Sequence, residues 1–127
     1  MSIVRFNPFF ELDRSGPANW VPVADVWETP EAYRIDLDVP AVAAADVHVA
    51  VEDGVLLING ERKRTEREEG DRNHRLERRY GKFSRRFRLP ETADADAISA
   101  RVANGVLELT IGKAEEEKPR RVEVVAA

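Results

Sequence analysis

The chain has no cysteine. That absence removes disulfides, thiol nucleophiles and thiolate zinc sites together, and it makes the reducing cytoplasm the expected compartment. Histidine is nearly as scarce. His48 and His74 are the only two, they lie in different segments, and neither has a ligand-type partner at helical spacing, so no metal site is expected. The serines (Ser2, Ser15, Ser84 and Ser99) include none in a Gly-x-Ser-x-Gly elbow, and the glycines mark turns rather than a Walker or dinucleotide loop. No apolar run approaches the roughly 20 residues that cross a bilayer. The N-terminus lacks the basic, apolar and small-residue regions of a signal peptide. The sequence therefore predicts no enzyme, no cofactor and no membrane partner.

What remains is charge and short apolar runs. At 127 residues there is room for one domain with a real core, and 20 Lys and Arg against 24 Asp and Glu give a net charge of −4. An acidic balance argues against general nucleic-acid binding. Between Arg72 and Arg88 the balance inverts, with eight Lys or Arg against one Glu and with Tyr80, Phe83 and Phe87 interleaved. Phe83 and Phe87 have core parity, however, which disqualifies them as base-stacking platforms. A strand face that pairs with acidic residues of this chain or of a partner accounts for the same run, so no nucleic-acid partner is expected.

The chain is organised around Tyr80–Pro90. At a period of two, Phe83, Phe87 and Leu89 share one face of a strand, and Ser84, Arg86 and Arg88 share the other. Arg85 is the intruder on the apolar face. It either escapes to solvent at a sheet margin or is buried with acceptors from another loop or chain, because a buried guanidinium without partners is too costly to keep.

The other strands follow from alternation and turn chemistry. Val21–Trp27 is a short extended segment, and Pro22 suits it to a sheet edge. Tyr33, Ile35, Leu37 and Val39 alternate with Arg34, Asp36 and Asp38 as a half-buried strand, and Ala41–Ala45 is an alanine-rich connector with room for one helical turn. Val47, Val49 and Val51 precede Asp53-Gly54, with Val55–Ile58 after it. Ile98, Ala100 and Val102 precede Asn104-Gly105, with Leu107, Leu109 and Ile111 after it. Both dipeptides predict type I′ hairpins, in which the two central residues take positive φ. Lys63–Asn73 reads as a long charged loop, and His74–Arg78 as a further short strand that the loop carries away from its parent sheet. About eight short strands with almost no helix predict an all-β chain: an immunoglobulin-like antiparallel β-sandwich.

Two terminal segments flank this domain. In residues 1–20 lie four of the seven Phe and Trp residues: Phe6, Phe9, Phe10 and Trp20. Such an arm either folds back onto its own domain or packs on other copies and on foreign apolar surface, and its apolarity favours the second. From Gly112 onward the chain is charged until Val122-Glu123-Val124-Val125. If extended, Val122 and Val124 point the same way, which suits addition to an exposed sheet edge; the alternative is a frayed end.

Several stretches, in order, resemble the small heat shock proteins of the α-crystallin-domain family, especially the bacterial and plant type. They are Pro22–Thr29, Tyr33–Val42, Leu57–Arg62, His74–Arg78, Tyr80–Pro90 and Ala103–Leu107. The resemblance implies an N-terminal arm at 1–20, an α-crystallin domain at 21–112 and a C-terminal extension at 113–127. It implies an ATP-independent holdase that binds partly unfolded client proteins and forms homodimers that assemble into larger homo-oligomers. The dimer interface would pair His74, Leu76 and Arg78 with Val23, Asp25 and Trp27 of the partner, and Arg85 falls on the family's core arginine. Val122 and Val124 match the C-terminal Ile-x-Ile/Val motif, with Val49, Val51, Ala100 and Val102 as its docking groove. Phe6, Phe9, Phe10 and Trp20 would meet clients. Valine at 122 in place of the usual isoleucine, and a short arm, are the departures from that pattern. The alternative reading is a monomeric sandwich adaptor resembling the CS-domain co-chaperones, which would need neither the loop nor the tail.

Overall fold

Alternating burial accompanies most of the strands that the sequence predicts. In the computed structural model, which describes residues 20–114 and 121–127, these are β1 (Ala24–Glu28), β2 (Ala32–Asp38), β3 (Val47–Glu52), β4 (Val55–Arg62), β5 (Gly81–Arg88), β6 (Ala93–Ala103) and β7 (Val106–Lys113). A single 3-10 turn at Ala44–Asp46 fills the alanine-rich connector. Phe6, Phe9 and Phe10 lie outside the described residues.

The strands form two antiparallel sheets, one in the order β1-β2-β7-β6 and the other β3-β4-β5. Facing side chains of the two sheets make one core, with Ile35, Leu37, Leu56, Ile58, Leu109 and Ile111 fully buried. Removing these side chains from water is the main stabilising term, at about 1.5–3 kcal/mol for each large aliphatic residue. This is the expected sandwich, and β1 is the expected edge: it pairs with β2 alone.

Both hairpin turns take the predicted form. Asp53 and Gly54 have φ of 51° and 75°, Asn104 and Gly105 54° and 75°. The turns set the registers Glu52↔Val55 and Ala103↔Val106, and these keep every valine of β3 and every leucine of β7 facing inward. The expected strand at His74–Arg78 is absent. Among the described residues there are seven strands, and 63–80 runs as an exposed connection without ladder partners in its own chain.

Gly60 lies opposite Phe83 in the β4–β5 ladder, and the aromatic ring fills the space a side chain would take. A Cβ at this position would fall 2.3 Å from the ring's Cζ and 2.8 Å from the Asp46 carbonyl oxygen. The ring can rotate away, but the backbone carbonyl cannot. Gly60→Ala should therefore destabilise the fold by about 1–3 kcal/mol through overpacking, read as a lowered midpoint in thermal or urea unfolding. An unchanged midpoint would show that Phe83 repacks freely.

Candidate functional site

Two sheets laid face to face leave two lateral seams, and the two are treated differently here. One runs between β1 and β5, the other between β3 and β6.

Side chains close the first seam. Arg85 is only 6% exposed, and its Nη1 donates to the carbonyl of Pro22 at 2.5 Å, tying β5 to the residue that leads into β1. Its guanidinium also lies 5.0 Å from the Phe87 ring centroid. Of the two readings the sequence left open, burial with an acceptor from another segment holds, and the acceptor shown belongs to the same chain. Next to it, Trp20 packs edge-on against Phe83 with centroids 5.0 Å apart, and its indole N–H donates to the Gly81 carbonyl at 2.9 Å. At 7% exposure Trp20 is part of the core. Its ring is amphipathic, and both its apolar body and its N–H find partners inside the domain.

Arg62 is a residue the sequence reading missed. It is buried, its Nε donates to the Arg79 carbonyl at 2.6 Å and its Nη1 to the Pro40 carbonyl at 3.2 Å, and its guanidinium stacks over Trp20 at 4.3 Å. Parity was the available signal, since Leu56, Ile58, Gly60 and Arg62 share the inward face of β4.

Beyond this seam, the free edge of β1 presents Val23 and Trp27, both exposed, with Asp25 between them. Trp27 meets Arg34 of β2 at 5.6 Å, while Asp25 sits directly opposite Asp36. Two like charges in that position cost stability unless a cation joins them. His74, Leu76 and Arg78 lie exposed on the long connection, and Arg78 Nη1 donates to the Tyr80 hydroxyl at 2.7 Å. Within one chain, these residues do not meet Val23, Asp25 or Trp27 through any strand pairing.

The second seam is left open as a cleft of about 520 Å³, lined by Val49, Ala50 and Val51 of β3 and by Ala95, Asp96, Ile98 and Ala100 of β6. Three of the four expected groove residues line it. The fourth, Val102, is half-buried and packs on the core, as Val49 and Val51 also do, but does not line the cleft. Val122 and Val124 stand 80% and 91% exposed and belong to no strand. Among the described residues no cluster of three or more His, Asp or Glu side chains converges as a metal site, and no helix is long and apolar enough to cross a membrane.

Comparison with known proteins fits this geometry. The Hsp20/alpha crystallin family pattern matches residues 25–125. Spore protein SP21 of Stigmatella aurantiaca is 40% identical over 121 residues, covering 95% of this chain and 71% of its own. The 17.6 kDa class I heat shock protein of Helianthus annuus is 50% identical over 130 residues, covering 98% and 85%. Among solved structures, a small heat-shock protein from Xylella fastidiosa superposes with a TM-score of 0.72 at 42% identity, covering 86% of this chain and 100% of that one.

The closed seam depends on Arg85. Arg85→Ala leaves the Pro22 carbonyl without its charged donor and opens a gap beside Phe87, at an expected cost of about 2 kcal/mol or more. Equilibrium urea unfolding of the variant checks this. Stability equal to the parent would mean that the tie is dispensable.

Proposed function

Because this chain belongs to the Hsp20/alpha crystallin family, whose relatives above include small heat shock proteins, its role is that of a chaperone, and we propose that it works as an ATP-independent holdase. It would bind partly unfolded proteins through apolar surface and keep them from aggregating. One observation carries this reading: the domain has a fully formed core and yet leaves an aliphatic groove and an aliphatic tail exposed in the same chain. A solitary domain gains nothing from such surfaces. Assembly and client capture both use them.

Two layers of assembly follow from the edges. In the first, the connection of a partner subunit adds to β1 as a further strand, with Arg72–Arg78 beside Val23–Trp27. The free β1 edge supports this, as do the exposed apolar side chains of Val23, Trp27 and Leu76. So does charge: β1 carries an exposed Asp25 beside which a basic strand would arrive. In the second layer, Val122 and Val124 of one dimer dock in the groove of another. A tail that owns no part of the core can detach without unfolding it, so heating would free groove, tail and arm for clients. The sequence carries no phosphate-binding glycine loop, so the cycle is driven by exchange and client supply, without nucleotide. The cytoplasm suits a chain without cysteine.

The decisive experiment heats an aggregation-prone client with and without the full-length protein, nucleotide omitted, and follows light scattering. Suppression near stoichiometric amounts is expected. No suppression at any temperature at which this protein stays folded would overturn the holdase reading. Deleting Val122–Ala127 should reduce the particle to dimers or small species by light-scattering mass, and an unchanged mass would rule out tail docking.

A further inference from the structure

The groove between β3 and β6 is aliphatic except at one point. Of the seven residues that line it, six are alanine, valine or isoleucine and the seventh is Asp96. A break in strand register puts it there. The β6–β7 pairing shifts between Ala93 and Ile98, and within that irregularity the Asp96 N–H donates to Asp94 Oδ1 at 2.9 Å. Bulges at sheet edges commonly re-aim a side chain in this way. The Asp96 carboxylate is exposed and makes no ion pair among the described residues.

The tail offers the complementary charge in an ordered row. Arg121 immediately precedes Val122, and Glu123 stands between the two valines. In an extended chain Val122 and Val124 share one side, and Arg121 and Glu123 share the other. With the valines on the aliphatic floor, the rim is met by a cation at one end and an anion about 7 Å further along. The two directions of docking are therefore unequal. One brings Arg121 to Asp96, and the other puts uncharged Val125 in that place, with Glu123 midway between the valines in both.

We propose that the groove accepts the tail of a second copy in a single direction, set by Arg121 pairing with Asp96. This rests on the tail-docking reading above and adds to it the polarity of the contact and the residue pair that selects it. The occupant is a second copy because Val122 and Val124 stand clear of their own domain while the groove of that domain is open. Polarity matters for assembly, since a tail that docks in one direction fixes the relative orientation of the two domains it links.

The test uses full-length variants and native mass spectrometry over a dilution series. Arg121→Glu and Asp96→Lys should each raise the concentration at which the oligomer falls to dimers, by about fivefold or more. The double variant Arg121→Glu/Asp96→Lys should restore the parent midpoint. The difference between parent and single variants should shrink in high salt. Val122→Ala/Val124→Ala serves as the separate test of docking. If that variant dissociates early while the charge variants behave as parent, or if the double variant is not restored, the polarity proposal fails and docking stands. If the valine variant and all charge variants keep the parent midpoint, both fail. The absence of native cysteine permits a direct check. Arg121→Cys/Asp96→Cys should give an intermolecular disulfide ladder on oxidation, and Val125→Cys/Asp96→Cys, which reports the reverse direction, should not. Closure within one chain would overturn the assignment to a second copy.

Discussion

The hydrogen bond from Arg85 to the Pro22 carbonyl is the constraint on which the arrangement of this molecule depends. Two open sheets pressed together can slide or splay unless something fixes their margins. Here a guanidinium from one sheet reaches the chain that enters the other, and Trp20 and Arg62 fill the space alongside. Carbonyl acceptors and aromatic faces offset the cost of burying two arginines. Because this margin is closed from within, the outer edge of β1 stays available to another chain. The opposite margin has no such ties and remains a groove.

Much of this was legible in the sequence, for reasons that differ by element. Asp53-Gly54 and Asn104-Gly105 declare their hairpins because few other residue pairs tolerate two successive positive φ values. Phe83, Arg85 and Phe87 declare an inward face by alternation, and burying Arg85 obliges it to find acceptors. What alternation cannot supply is the identity of the acceptor. Pro22 is 63 positions away and contributes only a backbone carbonyl, which leaves no mark on residue type. The burial of Trp20 was not legible for a related reason. Its neighbours in sequence are apolar and point to a common sticky arm, whereas its cavity is formed by Phe83, Gly81 and Arg62, which come together only in the fold. The bulge that sets Asp96 in the groove wall is likewise a product of pairing rather than of composition.

The missing strand at His74–Arg78 has a physical explanation of the same kind. A strand exists only beside another strand, and this segment joins none of the edge strands of its own chain. Its basic side chains and Leu76 are left exposed on a connection longer than a hairpin requires. The proposed exchange with a partner subunit would supply the ladder that this segment lacks in its own chain.

Lys113, at the end of β7, is held from two directions. Its Nζ meets Glu28 Oε2 at 2.5 Å and its N–H donates to the Glu31 carbonyl at 3.1 Å, while the N–H of Ala114 donates to Thr92 at 2.7 Å. The last residue of the sheet is thus pinned beside the end of β1, and the tail starts from a fixed pivot. Seven peptide steps separate Ala114 from Arg121, a tether that spans at most about 25 Å when fully drawn out. The pivot and the tether length together define a sphere around each domain. In the tail docking proposed above, only a neighbouring groove inside that sphere would be within reach, so the number of residues between sheet and valines would set the maximum spacing of linked domains.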